Sequence, residues 1–143
     1  MENSNLPQNS IIGWWKLKSI YFEFDDNGER IDVYGSRPVG YVVITEDRRM
    51  MGLLMSGDRA PPQSDSDKAR LFDSLMVYGG EVRLDEGIWS TTVDASWHPD
   101  WVGTEQVRHY EIEDGILSVT SATIAHPKFP GRKCKAIAKW HKV

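Results

Sequence analysis

The sequence predicts an all-β fold: a single antiparallel β-barrel of about eight or more strands with one short helix. Three features carry that expectation. Short segments of alternating apolar and polar residues recur along most of the chain, separated by turn-forming residues. Only 67–76 shows apolar residues at helical spacing. The last segment alternates so cleanly that one face can be read from it: Cys134, Ala136, Ala138 and Trp140 against Lys133, Lys135, Ile137 and Lys139. A length of 143 residues suits one domain with one core. The domain is expected over 11–143, after a disordered tail at 1–10.

The elements follow in order. Strand 15–24 runs into the turn Asp25-Asp26-Asn27-Gly28. Strands 40–45 and 50–55 flank a polar turn at 46–49. Residues 56–66 are rich in Pro, Ser and Asp and read as a loop. The helix at 67–76 has Ser66 or Asp67 as its cap and Leu71, Phe72, Leu75 and Met76 as its apolar stripe. Strands 81–84 and 88–97 flank Asp85-Glu86-Gly87. Strands 105–112 and 116–124 flank Asp114-Gly115, a strong hairpin signal. Strand 133–140 closes the chain.

Side-chain parity sorts the faces. On the last strand the set containing Cys134 and Trp140 points inward, and its two alanines leave interior space. A two-residue turn at Asp114-Gly115 pairs Ile112 with Leu117, Tyr110 with Val119 and Arg108 with Ser121. That apolar set is the inner one and takes Tyr110 and Arg108 inside. On 88–97, the parity of Val82 and Leu84 continues as Ile88, Ser90, Thr92, Asp94 and Ser96. If the strands either side of Trp101 pair symmetrically, Asp94 faces Arg108, Thr92 faces Tyr110 and Ser96 faces Gln106. The opposite reading puts this polar set outside, with Trp89, Val93, Ala95 and Trp97 within. Under the first reading Trp89, Val93 and Trp97 form an exposed apolar stripe, which points to a homodimer surface.

Charge and motifs exclude several function classes. A net charge of -4, with a pI near 5.5 and no basic run, argues against nucleic acid and anionic lipid as partners. No apolar run approaches the roughly 20 residues of a membrane span. The opening MENSNLPQNS carries no apolar h-region, so a cytoplasmic location is expected. A lone cysteine, Cys134, forms no internal disulfide. His98, His109, His126 and His141 are scattered, so no metal site is expected, and the last three are read as surface residues. There is no dinucleotide-binding glycine motif, P-loop or nucleophile elbow, and Asp25, Asn27 and Asp32 complete no EF-hand. No cofactor is implied.

Several stretches resemble the bacterial and fungal lipocalin-like domain family. They are Gly13-Trp14-Trp15-Lys16-Leu17-Lys18-Ser19, then Gly40-Tyr41 running to Arg49-Met50, then Tyr78-Gly79-Gly80, and above all Pro99-Asp100-Trp101-Val102-Gly103-Thr104-Glu105-Gln106-Val107-Arg108. The resemblance implies a calycin-type barrel with one end closed near Trp15 and a cavity for a small hydrophobic or amphipathic ligand. Some barrels of similar build act as cofactor-free isomerases or cyclases on natural products. Asp94 and Arg108 match the family's acidic residue and arginine. The family's histidine near Thr91 or Thr92 is missing, as is the glycine that often stands second in the turn at Asp47-Arg48.

These residues define candidate chemistry. Asp94, held ionised by Arg108, is the candidate base. Arg108 would polarise a carbonyl or stabilise an enolate, Tyr110 would donate a proton, and His98 would reach the mouth. Ligand contacts are expected from Ser90, Thr92, Ser96, Gln106, Val119, Leu53 and Met55. Tyr34 and Trp101 would join them from rim loops. Three classes compete: an acid–base isomerase or cyclase (or a dehydratase) acting on an amphipathic carbonyl compound, a non-catalytic carrier or sensor, and a purely structural interaction module with a filled interior.

Overall fold

Alternation along each strand becomes a closed wall once the strands are in register. The computed structural model describes residues 10–125 and 129–143, so most of the expected tail and His126 lie outside the described residues. The strands are β1 (Gly13–Phe24), β2 (Arg30–Ile31), β3 (Val39–Ile44), β4 (Arg49–Met55), β5 (Leu75–Asp85), β6 (Ile88–Ser96), β7 (Glu105–Glu113), β8 (Ile116–Ser121), β9 (Ile124–Ala125) and β10 (Lys133–Lys142), with α1 (Asp65–Asp73) between β4 and β5. Neighbours in the order β1-β3-β4-β5-β6-β7-β8-β10 pair antiparallel, and β10 returns to β1. Eight strands therefore form the closed antiparallel barrel that the alternation predicts. The two-residue strands β2 and β9 extend its rim beside β1 and β10.

Where turn chemistry is local, the expected register holds. Asp114 and Gly115 have φ of 54° and 78°, the two left-handed residues of a type I′ turn. Ile112 accordingly faces Leu117, Tyr110 faces Val119 and Arg108 faces Ser121. Pairing continues through β10 into β1 and stacks the interior in rows. Ile112, Leu117, Trp140 and Leu17 form the lowest row, with Tyr110, Val119, Ala138 and Ile20 above it.

The lower end is sealed around Trp15, which is 1% exposed and donates its indole N–H to Ile11 O at 2.9 Å. The Lys142 ammonium lies 4.5 Å from the Trp15 ring centroid and donates to Ile12 O at 2.5 Å. Burial lowers the Lys142 pKa. The seal explains the glycine two residues before the tryptophan. Gly13 has φ of 126°, and a Cβ there would come within 2.7 Å of Lys142 Nζ.

Two expectations need correction. The helix starts earlier than expected and ends at Asp73, not Met76. Ser64 is its N-cap and accepts the Asp67 N–H at 3.0 Å, in place of Ser66 or Asp67. Ser74 ends it, with N–H and hydroxyl both donating to Leu71 O. Leu75 and Met76 then pair with Met55 and Leu54 as the start of β5. Pairing with β4 satisfies their backbone groups and sets Met76 on the inner wall, which a further helical turn would not do.

The second correction concerns β6. Trp89, not Asp94, faces Arg108, and Thr91, not Ser96, faces Gln106. Asp94 and Trp89 are five positions apart, an odd slip that turns the strand over. Trp89, Thr91 and Val93 are therefore inside, while Thr92, Asp94 and Ala95 are exposed. A buried tryptophan and valine contribute a few kcal/mol of apolar burial, whereas a buried aspartate must be desolvated. The expected symmetry about Trp101 fails because the strand connection is asymmetric: ladder pairing stops at Thr92–Glu105, and Val93 bonds Thr104 and Gly103 directly. Asp94 itself is the extra residue of a bulge opposite Gly79 and Gly80. A Cβ on Gly80 would sit 1.9 Å from Thr92 O, so the bulge needs glycine there. With Trp89 and Val93 buried and Trp97 half-buried, the outer apolar stripe that motivated a homodimer does not exist.

Arg48 occupies the turn position where the resemblance expects glycine, at φ of 66°. Left-handed backbone strains a residue with a Cβ by about 1 kcal/mol. Arg48→Gly should therefore stabilise the barrel by about 1 kcal/mol, seen as a higher urea midpoint at unchanged slope. An unchanged or lowered midpoint would count against strain at this turn.

Candidate ligand cavity

Small residues on β10 hold the interior open. Ala136 and Ala138 stand where larger side chains would meet Phe22 and Ile20 across the β1 pairing. The resulting cavity has a volume of about 600 Å³, within the usual range for small-molecule sites. Its wall is strongly aromatic: Phe22, Tyr34, Phe72, Tyr78, Trp89, Trp97, Trp101 and Trp140 all line it. Aliphatic surface comes from Ile20, Leu54, Met76 and Val119.

The mouth is built from connecting segments. The β2–β3 segment supplies Val33 and Tyr34, α1 supplies Phe72 and Asp73, and the β6–β7 connection supplies Trp97, His98 and Trp101. These aromatic groups support one another. Trp101 packs edge-on to Trp97 at 5.3 Å and beside Tyr78 at 5.1 Å. Phe72 packs 5.6 Å from His98 and 6.1 Å from Trp97. Trp97 also donates its indole N–H to Phe72 O at 3.1 Å, tying the loop to the helix. The turn Pro99–Trp101 is capped by His98, whose Nδ1 accepts the Asp100 N–H at 3.2 Å.

One stretch of wall is polar. Arg108, Gln106 and Ser121 line it on β7 and β8. Arg108 donates from Nη1 and Nη2 to Gln106 Oε1 at 3.4 Å and from Nη1 to its neighbour's carbonyl, Val107 O, at 3.2 Å. Gln106 Nε2 donates in turn to Thr104 Oγ1 at 2.8 Å. Ser121 Oγ donates to Ala122 O and accepts the Ala136 N–H, both at 2.9 Å. Burial raises the Tyr34 phenol above its ordinary 10.0.

The sequence-derived candidates divide in two. Arg108, Gln106, Val119, His98, Trp101 and Tyr34 share the cavity wall. Tyr110 packs against the core beside it, and burial raises its phenol although the charge of Arg48 opposes the shift. The remaining candidates stand elsewhere. Asp94 is exposed and pairs with Arg49 at 2.5 Å on the outer surface, so it forms no couple with Arg108. Thr92 shares its exposed side. Ser90 is buried but alternates out of phase with Trp89 and Thr91, opposite Arg83 and Val107. Ser96 is off the wall and accepts the His98 N–H at 3.2 Å. On β4 the inner position belongs to Leu54, which leaves Leu53 and Met55 on the other side, with the Met55 sulfur 3.8 Å from Arg59 Nη1.

Sequence reasoning missed Ile20, Phe22, Tyr78 and Trp89 as wall residues. Parity along β1 contains the signal for the first two, since Trp15, Leu17, Ile20, Phe22 and Phe24 are its buried side, with a register shift between Leu17 and Ser19. Among the described residues no group of three or more His, Cys, Asp or Glu is placed to hold a metal ion, and no helix is long and apolar enough to cross a membrane.

A family model described as a lipocalin-like domain matches residues 12–143. No curated protein and no solved structure matches the chain.

Two outcomes follow from the placement of these groups. Asp94→Asn should leave both thermal midpoint and cavity binding at wild-type values, because the Arg49 pair is solvated; a loss of binding would return Asp94 to the site. Tyr34 should ionise late in an alkaline ultraviolet titration, with the late phase, to which Tyr110 also contributes, reduced in Tyr34→Phe. Because the folded phenol titrates above the unfolded one, this residue's contribution to stability is intact below pH 10 and is lost as the pH rises through the folded value. A normal titration would show that Tyr34 is open to water.

Proposed function

The chain belongs to the lipocalin-like domain family, and from that premise we propose that it holds one small amphipathic molecule inside its barrel as a carrier or sensor. The observation behind this reading is the cavity itself: about 600 Å³ of interior space, walled by aromatic side chains and edged by one polar strip. A structural module would have a filled interior. Most of the affinity would come from burying the ligand's apolar body, and the polar strip would orient it.

Turnover is the second reading, an isomerisation or cyclisation of a carbonyl compound with no cofactor. It is supported by Arg108 and His98 lining one cavity. It is weakened by the outward turn of Asp94, which leaves no carboxylate among the described residues beside Arg108 to serve as base. Nor does His98 replace it readily. With Nδ1 accepting a hydrogen bond, the neutral ring carries its proton on Nε2 and is a donor there. Binding without conversion is therefore favoured.

N-phenyl-1-naphthylamine, an uncharged apolar fluorophore, tests the binding reading. The wild-type protein should enhance its emission saturably. Ala138→Leu, which fills the cavity from β10, should weaken binding by about tenfold or more, equivalent to 1.4 kcal/mol, in a protein that still unfolds cooperatively. Equal enhancement by wild type and Ala138→Leu would remove the cavity as the binding site. A ligand recovered unchanged from the purified protein by native mass spectrometry would support carriage, and a product formed on incubation would support turnover.

A further inference from the structure

The cavity wall has hydrogen-bonding capacity left over. Most polar groups in the wall already have partners. Gln106 accepts from Arg108 and donates to Thr104, Ser121 both donates and accepts, and Trp89 Nε1 donates to Thr91 Oγ1 at 2.9 Å. What remains, besides the Tyr34 and Tyr78 hydroxyls that can donate or accept, is donors. A guanidinium carries five N–H groups, and Arg108 directs only its Nη atoms to protein acceptors, two of those contacts being long at 3.4 Å. Among the described residues no carboxylate lies within 4.0 Å of it. Its charge is thus unneutralised in a largely apolar wall, an arrangement that packing alone disfavours.

A second donor also lacks a partner, but it lies lower in the barrel and is closed off from the open cavity. The Trp140 indole N–H is buried and has no acceptor among the described residues, although Trp140 is only 7% exposed and lines the cavity. A buried donor without a partner costs about 1–3 kcal/mol. The N–H groups of Trp15, Trp89 and Trp97 are all satisfied. Among the described residues the only carboxylate in the lining, Asp73, is exposed at the end of α1.

We propose that the ligand is an organic carboxylate whose oxygens accept from Arg108 and whose aromatic or conjugated body lies against Trp89 and Tyr78. This rests on the cavity being a ligand site and adds the charge and hydrogen-bonding sense of what enters it. A carboxylate brings acceptors only and the charge that Arg108 lacks, in the planar bidentate geometry that guanidinium matches. An ammonium head would bring donors to donors and a like charge. A neutral amide head would satisfy hydrogen bonds but leave the guanidinium unneutralised.

The test uses one aromatic body with three heads: 1-naphthylacetate, 1-naphthylacetamide and 1-naphthylethylamine, each displacing N-phenyl-1-naphthylamine from the full chain at neutral pH. The carboxylate should bind about tenfold or more tighter than the amide, and the ammonium weakest. Arg108→Met should bring the carboxylate down to the level of the amide while fluorophore binding persists. Arg108→Lys should keep part of the preference, which separates lost charge from a damaged wall. A wild-type series in which the three heads bind alike overturns the proposal and leaves the cavity as a binding site. So does a carboxylate preference that survives in Arg108→Met. If wild type fails to bind the fluorophore or any naphthyl compound, the reading of the cavity as a ligand site fails as well.

Discussion

β1 and β10 are joined along nine residue pairs, from Trp15–Lys142 to Phe24–Cys134, and this ladder turns a sheet into a container. Without it the remaining strands form an open sheet with two unpaired edges, the arrangement that invites edge-to-edge association. The ladder links residues more than a hundred positions apart, so its closure entropy is among the largest in the fold. Offsetting interactions concentrate at its lower end. Trp15 is bonded to Ile11, Lys142 covers its ring and ties to Ile12, and Gly13 leaves room for that amine. Cavity and seal are thus two ends of one ladder: large side chains close it below, and alanines leave it hollow above.

How much of this the sequence discloses depends on how far each register decision reaches. The β7–β8 register is settled by two adjacent residues whose left-handed conformation admits one kind of turn, so it is readable, and it takes Arg108 and Gln106 to the inner face. β10 is readable because its alternation is uninterrupted. β6 is different. Its register against β7 is set across a long connection of irregular backbone, and its register against β5 includes a bulge at Asp94. Neither feature has a local sequence signature. The polar run Ser90, Thr92, Asp94 and Ser96 is equally consistent with an inner or an outer face. What decides is the whole-strand comparison of burying Trp89, Thr91 and Val93 against burying Asp94. The helix end is obscured in a similar way: Leu75 and Met76 continue the apolar spacing of α1 but belong to the next strand.

The candidate site is legible to the same degree. Residues fixed by the hairpin, and aromatic residues in loops that converge on the open end, are found from pattern alone. Residues reached only through the register of β4 and β6 are not. Leu53 and Met55 differ from Leu54 by a single step of parity, and that step separates outer surface from cavity wall.

The outward turn of β6 has a chemical consequence that joins fold to function. Had Asp94 faced Arg108, the interior would hold a neutralised pair, with little reason to prefer a charged guest. A carboxylate ligand would then meet a like charge beside the arginine. The β6–β7 register turns Asp94 to the outside, where Arg49 pairs with it in water, and places Trp89 opposite Arg108 instead. The interior keeps the cation, and the carboxylate that matches it has to come from elsewhere. An arginine with no counterion among the described residues, held in an aromatic chamber, weakens the isolated barrel and strengthens its complex with an anion that pairs with it. The same substitution at Arg108 should therefore act in opposite directions on the two states, favouring the empty barrel and disfavouring the filled one.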